Sequence, residues 1–286
     1  MITQNRVWLI IFGMFLFLSS CQDEFQDKEI YKKIVYIVHS ENTINSFTHP
    51  FKGAPTEGFI SLYCSGSLMP ETDIEIEIGF DDELIDKYNY IEFEDDESRY
   101  VKLLNSEHFN IPSFHVTIKK GEPFGNMPIF VTSEGLSPDS IYVIPLKINS
   151  ISPSYEISKD LSSILYAVKL ENAYSGLYRM TGSLQEEGES GMPQQVFRDK
   201  TLVPIDEFTC RMFFAAENEL AENIVDRTLT FTIQSDNSIV ISEKNDIHDL
   251  GESYYNPETK TIILNYSYVV SEIRYEIREK LVHLEE

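Results

Sequence analysis

The sequence has one tryptophan, at position 8, only three cysteines, and about half as many basic as acidic residues. Lysine and arginine number 23 against 47 aspartates and glutamates, which gives a formal net charge of −24. Phosphate backbones repel a chain this acidic, which argues against nucleic acid as a partner. Since Trp8 falls in the N-terminal apolar run, any aromatic binding surface farther along must use tyrosine or phenylalanine.

Cysteine is scarce beyond Cys21, with only Cys64 and Cys210 remaining. Two cysteines are too few for a structural zinc site. In Ile60–Cys64, alternation puts Cys64 on the face of Ile60 and Leu62, and Cys210 in the same way shares a face with Phe208 and Met212. We therefore predict two free, buried thiols in separate modules, and no disulfide.

Recognisable catalytic patterns are also missing. None of the histidines form a pair with metal-ligand spacing, and Gly188-Glu189-Ser190-Gly191 lacks the spacing of a nucleophile elbow. The acidic clusters 81–83 and 94–97 are typical of solvated loops, with calcium as the lesser alternative. We expect a protein that is not an enzyme and needs no cofactor.

The N-terminus is unusually apolar. Residues 7–18 form an apolar run interrupted only by Gly13, followed by Ser19, Ser20 and Cys21. The run is too short to span a bilayer as a helix and has the length of a signal-peptide core. Residues 18–21 resemble the lipobox of bacterial lipoproteins, whose cysteine carries the lipid. We predict a signal peptide over residues 1–20 and lipidation at Cys21; an ordinary signal peptide with a chance cysteine is the alternative.

The residues behind Cys21 are acidic. Gln22-Asp23-Glu24 resembles the export signal that sends Bacteroidetes lipoproteins to the outer face of the outer membrane. The resemblance implies a lipid-anchored outer-membrane protein that faces the cell exterior. Residues 21–32 would then form a lipidated tether, and a plain polar tether is the other interpretation.

Hydrophobic residues recur with a period of two along most of the chain. In Thr72–Ile78 the isoleucines face one way and the acidic residues the other. One short helix is expected at Asp82–Tyr88, and a boundary near residues 171–173, where the β pattern restarts at Tyr174. Residues 272–281 are predicted to be the closing strand. The pattern favours an all-β protein with two sandwich-like modules, the first Ig-like, at residues 33–171 and 172–286.

Three stretches of the first module carry a family resemblance: Glu83–Asn89, Val116–Gly121 and Tyr142–Ile148. They resemble an N-terminal module of unknown function found in Bacteroidetes polysaccharide-utilisation lipoproteins and in some endo-glycosidases. Residues 174–178 and 264–268 resemble a second module that often follows it. The resemblance implies a role in polysaccharide utilisation but assigns no functional residue.

We therefore expect non-catalytic binding of an oligosaccharide or polysaccharide, beside neighbouring importer proteins. A structural or adhesive cell-surface subunit that binds protein partners is the alternative. An exposed aromatic row would favour the first, and an uncovered edge strand the second. Placement in expected loops selects the candidate ligand-binding rings, for which burial as satellite core is the competing interpretation: Tyr254, Tyr255, Phe47, Phe51 and Tyr155.

Overall fold

The computed structural model describes residues 29–284. The predicted signal peptide, Cys21 and the first part of the tether lie outside these residues. The described part of the predicted tether is bound to the first module, because the Glu29 carboxylate accepts hydrogen bonds from the backbone N–H groups of Ser67 and Leu68 at 2.7 and 3.3 Å. No helix among the described residues is long and apolar enough to cross a membrane.

The first module consists of eleven strands and one α-helix. The helix α1 spans Asp82–Phe93, five residues beyond the predicted end. The strands, β1 to β11 in chain order, are Ile34–Ile37, Ile44–Pro50, Thr56–Cys64, Ile74–Phe80, Lys102–Leu103, Phe109–Asn110, His115–Ile118, Phe124–Val131, Tyr142–Ile151, Glu156–Ile157 and Ser163–Glu171.

These strands form two sheets that pack face to face. One has the order β10-β1-β3-β8-β6, and the other has the order β2-β11-β9-β4-β7 with β5 paired to β9. Alternating side chains from both sheets fill the space between them, including Ile60 and Leu62 from β3 and Ile74 and Ile76 from β4. The module is therefore a β-sandwich.

Helix α1 covers the outer face of the second sheet. Leu84, Ile85 and Tyr88 of the helix pack on a small cluster that contains Val143 and Leu165. The buried Asn89 fixes the end of the helix, because its side chain both accepts from the backbone N–H of Val101 at 2.9 Å and donates to the Val101 carbonyl at 3.1 Å. The outer face of the first sheet has no such helical cover in the described chain.

The second module is built from one sheet. Its strands, β12 to β20, are Gly176–Glu186, Gln194–Pro204, Thr209–Phe213, Thr228–Ile233, Ile239–Ile241, His248–Asp249, Tyr254–Asn256, Thr261–Val270 and Ile273–His283. The order is β16-β15-β14-β13-β12-β20-β19-β17, with β18 paired to β19. The all-β, two-module prediction is confirmed, as is the strand predicted at residues 272–281.

The ends of this sheet meet, so that it curls into a nearly closed barrel. The backbone N–H of Ile239 donates to the Ser253 carbonyl at 3.0 Å, and that of Tyr255 donates to the Asn237 carbonyl at 2.9 Å. A barrel of this kind has no long free edge. Its interior holds its own hydrophobic core, separate from that of the first module.

Both predicted thiols are free and buried, as expected. Cys64 faces the first core and Cys210 the second. Burial raises the pKa of both, that of Cys210 to about 12. They therefore act as small apolar core residues and not as nucleophiles.

Candidate functional site

The uncovered face of the first sheet carries a row of aromatic rings. Tyr36 of β1 lies opposite Tyr63 of β3, which lies opposite Phe124 of β8. The ring centroids are 5.3 Å apart for Tyr36 and Tyr63 and 4.8 Å apart for Tyr63 and Phe124, with interplanar angles of 55° and 57°. Three neighbouring strands thus present one continuous aromatic row.

A polar pair and a second apolar pair lie beside this row. Ser61, two residues before Tyr63 in β3, lies opposite Asn126 and donates a hydrogen bond to its Oδ1 at 2.8 Å. Two residues farther, Phe59 lies opposite Pro128 and is 52% exposed. Since side chains on one face recur about every 6.8 Å along a strand, Phe59 and Tyr63 lie about 13 Å apart on the same face. We call Tyr36, Tyr63, Phe124, Ser61, Asn126 and Phe59 the aromatic face.

Alternation along the strands creates this face. In β3, Ile60, Leu62 and Cys64 point into the core, which sends the residues between them outward. The outward side of a one-sided antiparallel sheet is normally polar. Aromatic rings at these positions lie outside the core: Tyr36 and Tyr63 are half-buried, and Phe59 and Phe124 are exposed. An outward-facing apolar patch of this kind is typical of a binding surface.

The aromatic face has no cationic side chain. Among the outward-facing residues of β1, β3 and β8, the only carboxylate is Glu57 and there is no lysine, arginine or histidine. Partial burial, then the neighbouring Tyr63 and Glu41, raise the pKa of Tyr36, which keeps its phenol protonated. Its environment is therefore apolar with a negative margin.

The rings selected from sequence do not lie together. Tyr254 and Tyr255 belong to the second module, where they form a short edge strand, β18, and not the predicted turn. Tyr254 is 45% exposed, whereas Tyr255 packs edge-on against Tyr174 with ring centroids 5.1 Å apart. Only Tyr254 of this pair offers an open ring face.

None of the three candidates in the first module is an exposed ring. Phe47 lies in β2, not in a loop, and its ring stacks on that of Tyr166 at 4.0 Å. Phe51 is buried directly after β2, where its backbone N–H donates to the Glu171 carbonyl at 2.8 Å, so its selection as a ligand-stacking ring was wrong. Tyr155 is half-buried against the core of this module. Tyr155 lies in the turn before β10, as predicted, whereas the loop predicted around Pro50 is the end of strand β2, which has no clear period-two pattern.

A concave feature lies between the modules. A cleft of about 710 Å³ is bordered by Ile44, Val168 and Leu170 of the first module and by Leu177, Leu202 and His283 of the second. Its walls are largely aliphatic. The Arg211 guanidinium bridges the same interface to the Asp139 carboxylate, with one hydrogen bond of 2.7 Å.

The acidic clusters considered for calcium do not converge on other ligands. In the described residues no group of three or more histidine, cysteine, aspartate or glutamate side chains could hold a metal ion. Asp81 instead pairs with Lys147 at 3.3 Å and accepts from the hydroxyl of Ser163.

Two family models together match most of the chain. One describes an N-terminal domain and matches residues 30–154, and the other describes a C-terminal domain and matches residues 162–282. The two matches follow one another along the chain without overlap. The second match begins just before β11, although that strand pairs with β2 and β9 of the first module. A comparison with curated proteins found no match.

Solved structures from Bacteroides share the two-domain fold. A Bacteroides ovatus protein of unknown function is 15% identical with a TM-score of 0.66, over 87% of this chain and 94% of its own. A multidomain protein from the same species is also 15% identical with a TM-score of 0.64, over the same shares of the two chains. An auxiliary nutrient binding protein from Bacteroides thetaiotaomicron is 17% identical with a TM-score of 0.57, over 84% of this chain and 91% of its own. These likenesses show the fold.

Proposed function

We propose that the chain is a non-catalytic glycan-binding protein that holds oligosaccharide or polysaccharide on its aromatic face. The observation that carries the proposal is the outward-facing row of the half-buried Tyr36 and Tyr63 and the exposed Phe124, beside the polar pair Ser61 and Asn126. Ring faces pack against the C–H groups of a sugar, while amides and hydroxyls bind its hydroxyl groups.

Several polar groups of the aromatic face make no hydrogen bond within the described chain. No hydrogen bond within the described chain engages the hydroxyl of Tyr36 or Tyr63, and the Asn126 amide uses only its oxygen on Ser61. Two phenols and an amide NH₂ group are therefore available to ligand hydroxyls. The nutrient-binding role named for the Bacteroides thetaiotaomicron structure agrees with this proposal.

The competing role, a structural or adhesive subunit, has less support. The outer strands of the first sheet, β10 and β6, are two residues long, which leaves little edge for an added strand there, whereas the second sheet ends in the longer strands β2 and β7. The barrel of the second module closes its own edges. The outward-facing aromatic row, in contrast, is the feature expected of a glycan-binding surface.

Calorimetry with residues 22–286 against host and plant polysaccharides tests the proposal. We expect dissociation constants from micromolar to millimolar, about −8 to −4 kcal/mol. Tyr63→Ala should weaken binding about two- to tenfold, since a well-packed ring contributes about 0.5–1.5 kcal/mol. Phe197→Ala is the matched control, because Phe197 is a lone ring on the outer face of β13 with 80% exposure.

The other outcomes are equally informative. An unchanged thermal transition for Tyr63→Ala would show that loss of binding is not loss of folding. Reducing ends released from any polysaccharide would overturn the non-catalytic assignment. Silence across the whole panel would overturn glycan binding and favour the adhesive subunit.

We also propose that lipid on Cys21 anchors the protein in the outer membrane, facing the cell exterior beside an importer. Anchoring raises the effective concentration of neighbouring sites, which makes weak binding sufficient. Labelled palmitate should enter the wild-type protein and be absent from Cys21→Ala. Equal labelling of both proteins would contradict the lipid anchor, and protection of the protein from protease added to intact cells would contradict the outward orientation.

A further inference from the structure

Building on the proposed function, we infer that the aromatic face takes a single, soluble, uncharged glycan chain, which lies across the strands from Phe124 to Tyr36. Two properties of the aromatic face limit its ligand: the angles between its rings and the signs of its charges. The ring angles exclude a flat crystalline polysaccharide surface. The charges exclude a glycan that carries uronate or sulfate groups.

The angles between the rings exclude a flat ligand. Tyr63 is inclined by 55° to Tyr36 and by 57° to Phe124. A planar surface that contacts the face of Tyr63 therefore meets the other two rings obliquely or by their edges. A flexible chain can turn between successive sugar units and meet each ring in turn, which single glycan chains in solution can do and crystalline arrays cannot.

The row also fixes the direction of the chain. The three rings step from strand to strand at 5.3 and 4.8 Å, which follows the spacing of the strands themselves. A glycan that uses all three rings must therefore run across β8, β3 and β1. Its flank then lies over Ser61 and Asn126, whose polar groups face the sugar hydroxyls.

The charges limit the ligand to neutral glycans. Carboxylate or sulfate groups on a glycan require a cation nearby to compensate their desolvation. The outward-facing residues of β1, β3 and β8 offer none and include only the carboxylate of Glu57. Lys32, just before β1, is already paired with Glu156 at 2.8 Å. The net charge of −24 adds a repulsive field at longer range.

The experiment uses three classes of probe with residues 22–286. Soluble neutral polysaccharides (a mixed-linkage glucan, a mannan and an arabinan) are compared with polygalacturonate and alginate in affinity electrophoresis, and with crystalline cellulose and chitin in pull-down. We expect at least one neutral polysaccharide, and none of the charged or crystalline ones, to bind the protein. The retardation should change less than about twofold when the salt concentration rises, because no charge is neutralised on binding. Asn126→Ala should weaken it about two- to tenfold, and Phe197→Ala should not.

The failures are distinguishable. Salt-sensitive binding of polygalacturonate or alginate, or sedimentation with crystalline cellulose or chitin that Tyr63→Ala abolishes, would overturn the inference and leave glycan binding in place. Absence of binding to all three classes would overturn the proposed function together with the inference. Neutral binding that survives both Tyr63→Ala and Asn126→Ala would place the glycan elsewhere and overturn the inference for this face.

Discussion

The first module places a row of three aromatic rings on the outside of one sheet, whereas the second packs three tyrosine rings inside a barrel beside a charged pair. The second interior contains Tyr178, Tyr266 and Tyr268 together with Lys200 and Glu279. Outside, the barrel carries exposed ion pairs, such as that of Arg179 and Asp199 at 2.9 Å. Outward aromatic rings suit ligand capture, and an inward polar network suits a rigid support.

The two interiors also differ in charge. In the first module the buried His49 lies between Thr56 and Tyr166, with its Nε2 2.7 Å from the Tyr166 hydroxyl. Gly58 makes room for this pair, because a Cβ there would lie 2.0 Å from the Tyr166 oxygen. In the second module Lys200 Nζ contacts both carboxylate oxygens of Glu279, at 2.9 and 3.0 Å. One core therefore holds a neutral polar pair and the other an ion pair.

The largest expected effect comes from breaking the buried ion pair. Lys200 is 1% exposed, and Glu279, which also accepts from the Tyr266 hydroxyl at 2.9 Å, is fully buried. Lys200→Met leaves the Glu279 carboxylate without its cation and should destabilise the second module by about 3–5 kcal/mol in urea unfolding. Burial lowers the pKa of Lys200, and Glu279 opposes that change.

Two variants make this test specific. The double variant Lys200→Met, Glu279→Leu removes both charges and should recover most of the loss. Arg179→Gln breaks the exposed pair on the neighbouring strand and should change stability too little to measure. A Lys200→Met protein as stable as wild type would show that Tyr266 alone satisfies the carboxylate.

Acid should affect the first module through His49. Burial lowers the pKa of His49 from 6.5 to about 4, so the folded form holds the ring neutral while the unfolded chain binds a proton. The free energy of unfolding is therefore unaffected by His49 above pH 6.5. It decreases as the pH falls from 6.5 toward 4, by up to about 3 kcal/mol, because only the unfolded chain takes up the proton. Hydrogen exchange resolved by module should show the loss in the first module.

His49→Gln is the control for the acid prediction, because it removes the titrating ring. The pH dependence of exchange in the first module should flatten between pH 6.5 and 4. If the wild type and His49→Gln lose protection equally over that interval, the carboxylates and not His49 cause the acid sensitivity.

Separation of the modules should have a smaller effect. The second core draws on residues 174–281, so a fragment of residues 174–286 should unfold in one cooperative thermal transition. Starting the fragment at residue 172 restores the Asn172 amide bonds to the carbonyls of Asp206 and Thr209, at 2.7 and 3.1 Å. We expect about 1–2 kcal/mol of added stability.

A longer fragment tests where the second module begins. Extension to residue 162, where the family match begins, adds β11 without its partners β2 and β9 and should add no stability. An unfolded 174–286 fragment that folds only when β11 is included would move the boundary of the second module to the family position.

Local patterns in the sequence predict much of this fold. Period-two alternation located the long strands, and acidic residues before Leu84 and Ile85 located the helix. Strand β2 was not found, because Ile44–Pro50 lacks clean alternation and is held by its parallel pairing with β11. That pairing depends on residues more than a hundred positions away, which local patterns do not encode.

The candidate site was only partly accessible from sequence. Because Ile60, Leu62 and Cys64 form the buried side of β3, alternation along the strand places Phe59 and Tyr63 on its outward side. It cannot show that Tyr36 and Phe124 lie beside Tyr63, because register between strands is nonlocal. The same alternation places Glu279 on the side of the buried Ile277 and Leu281. Burial of a carboxylate is unexpected from sequence, because nothing local indicates that Lys200 will neutralise it.

The smallest expected effect decides which module binds the ligand. Tyr254 is the one ring of the sequence-selected set that is exposed in the second module, at the end of β18. Tyr63 has rings on both sides, whereas Tyr254 has no ring partner in the described chain. A row of rings contacts more of a glycan than one ring does, so Tyr63→Ala should lose about 0.5–1.5 kcal/mol of binding energy and Tyr254→Ala much less. Calorimetry of the two variants with the same neutral polysaccharide measures both losses. A larger loss for Tyr254→Ala would move the binding surface to the second module and reverse the division of roles between the modules.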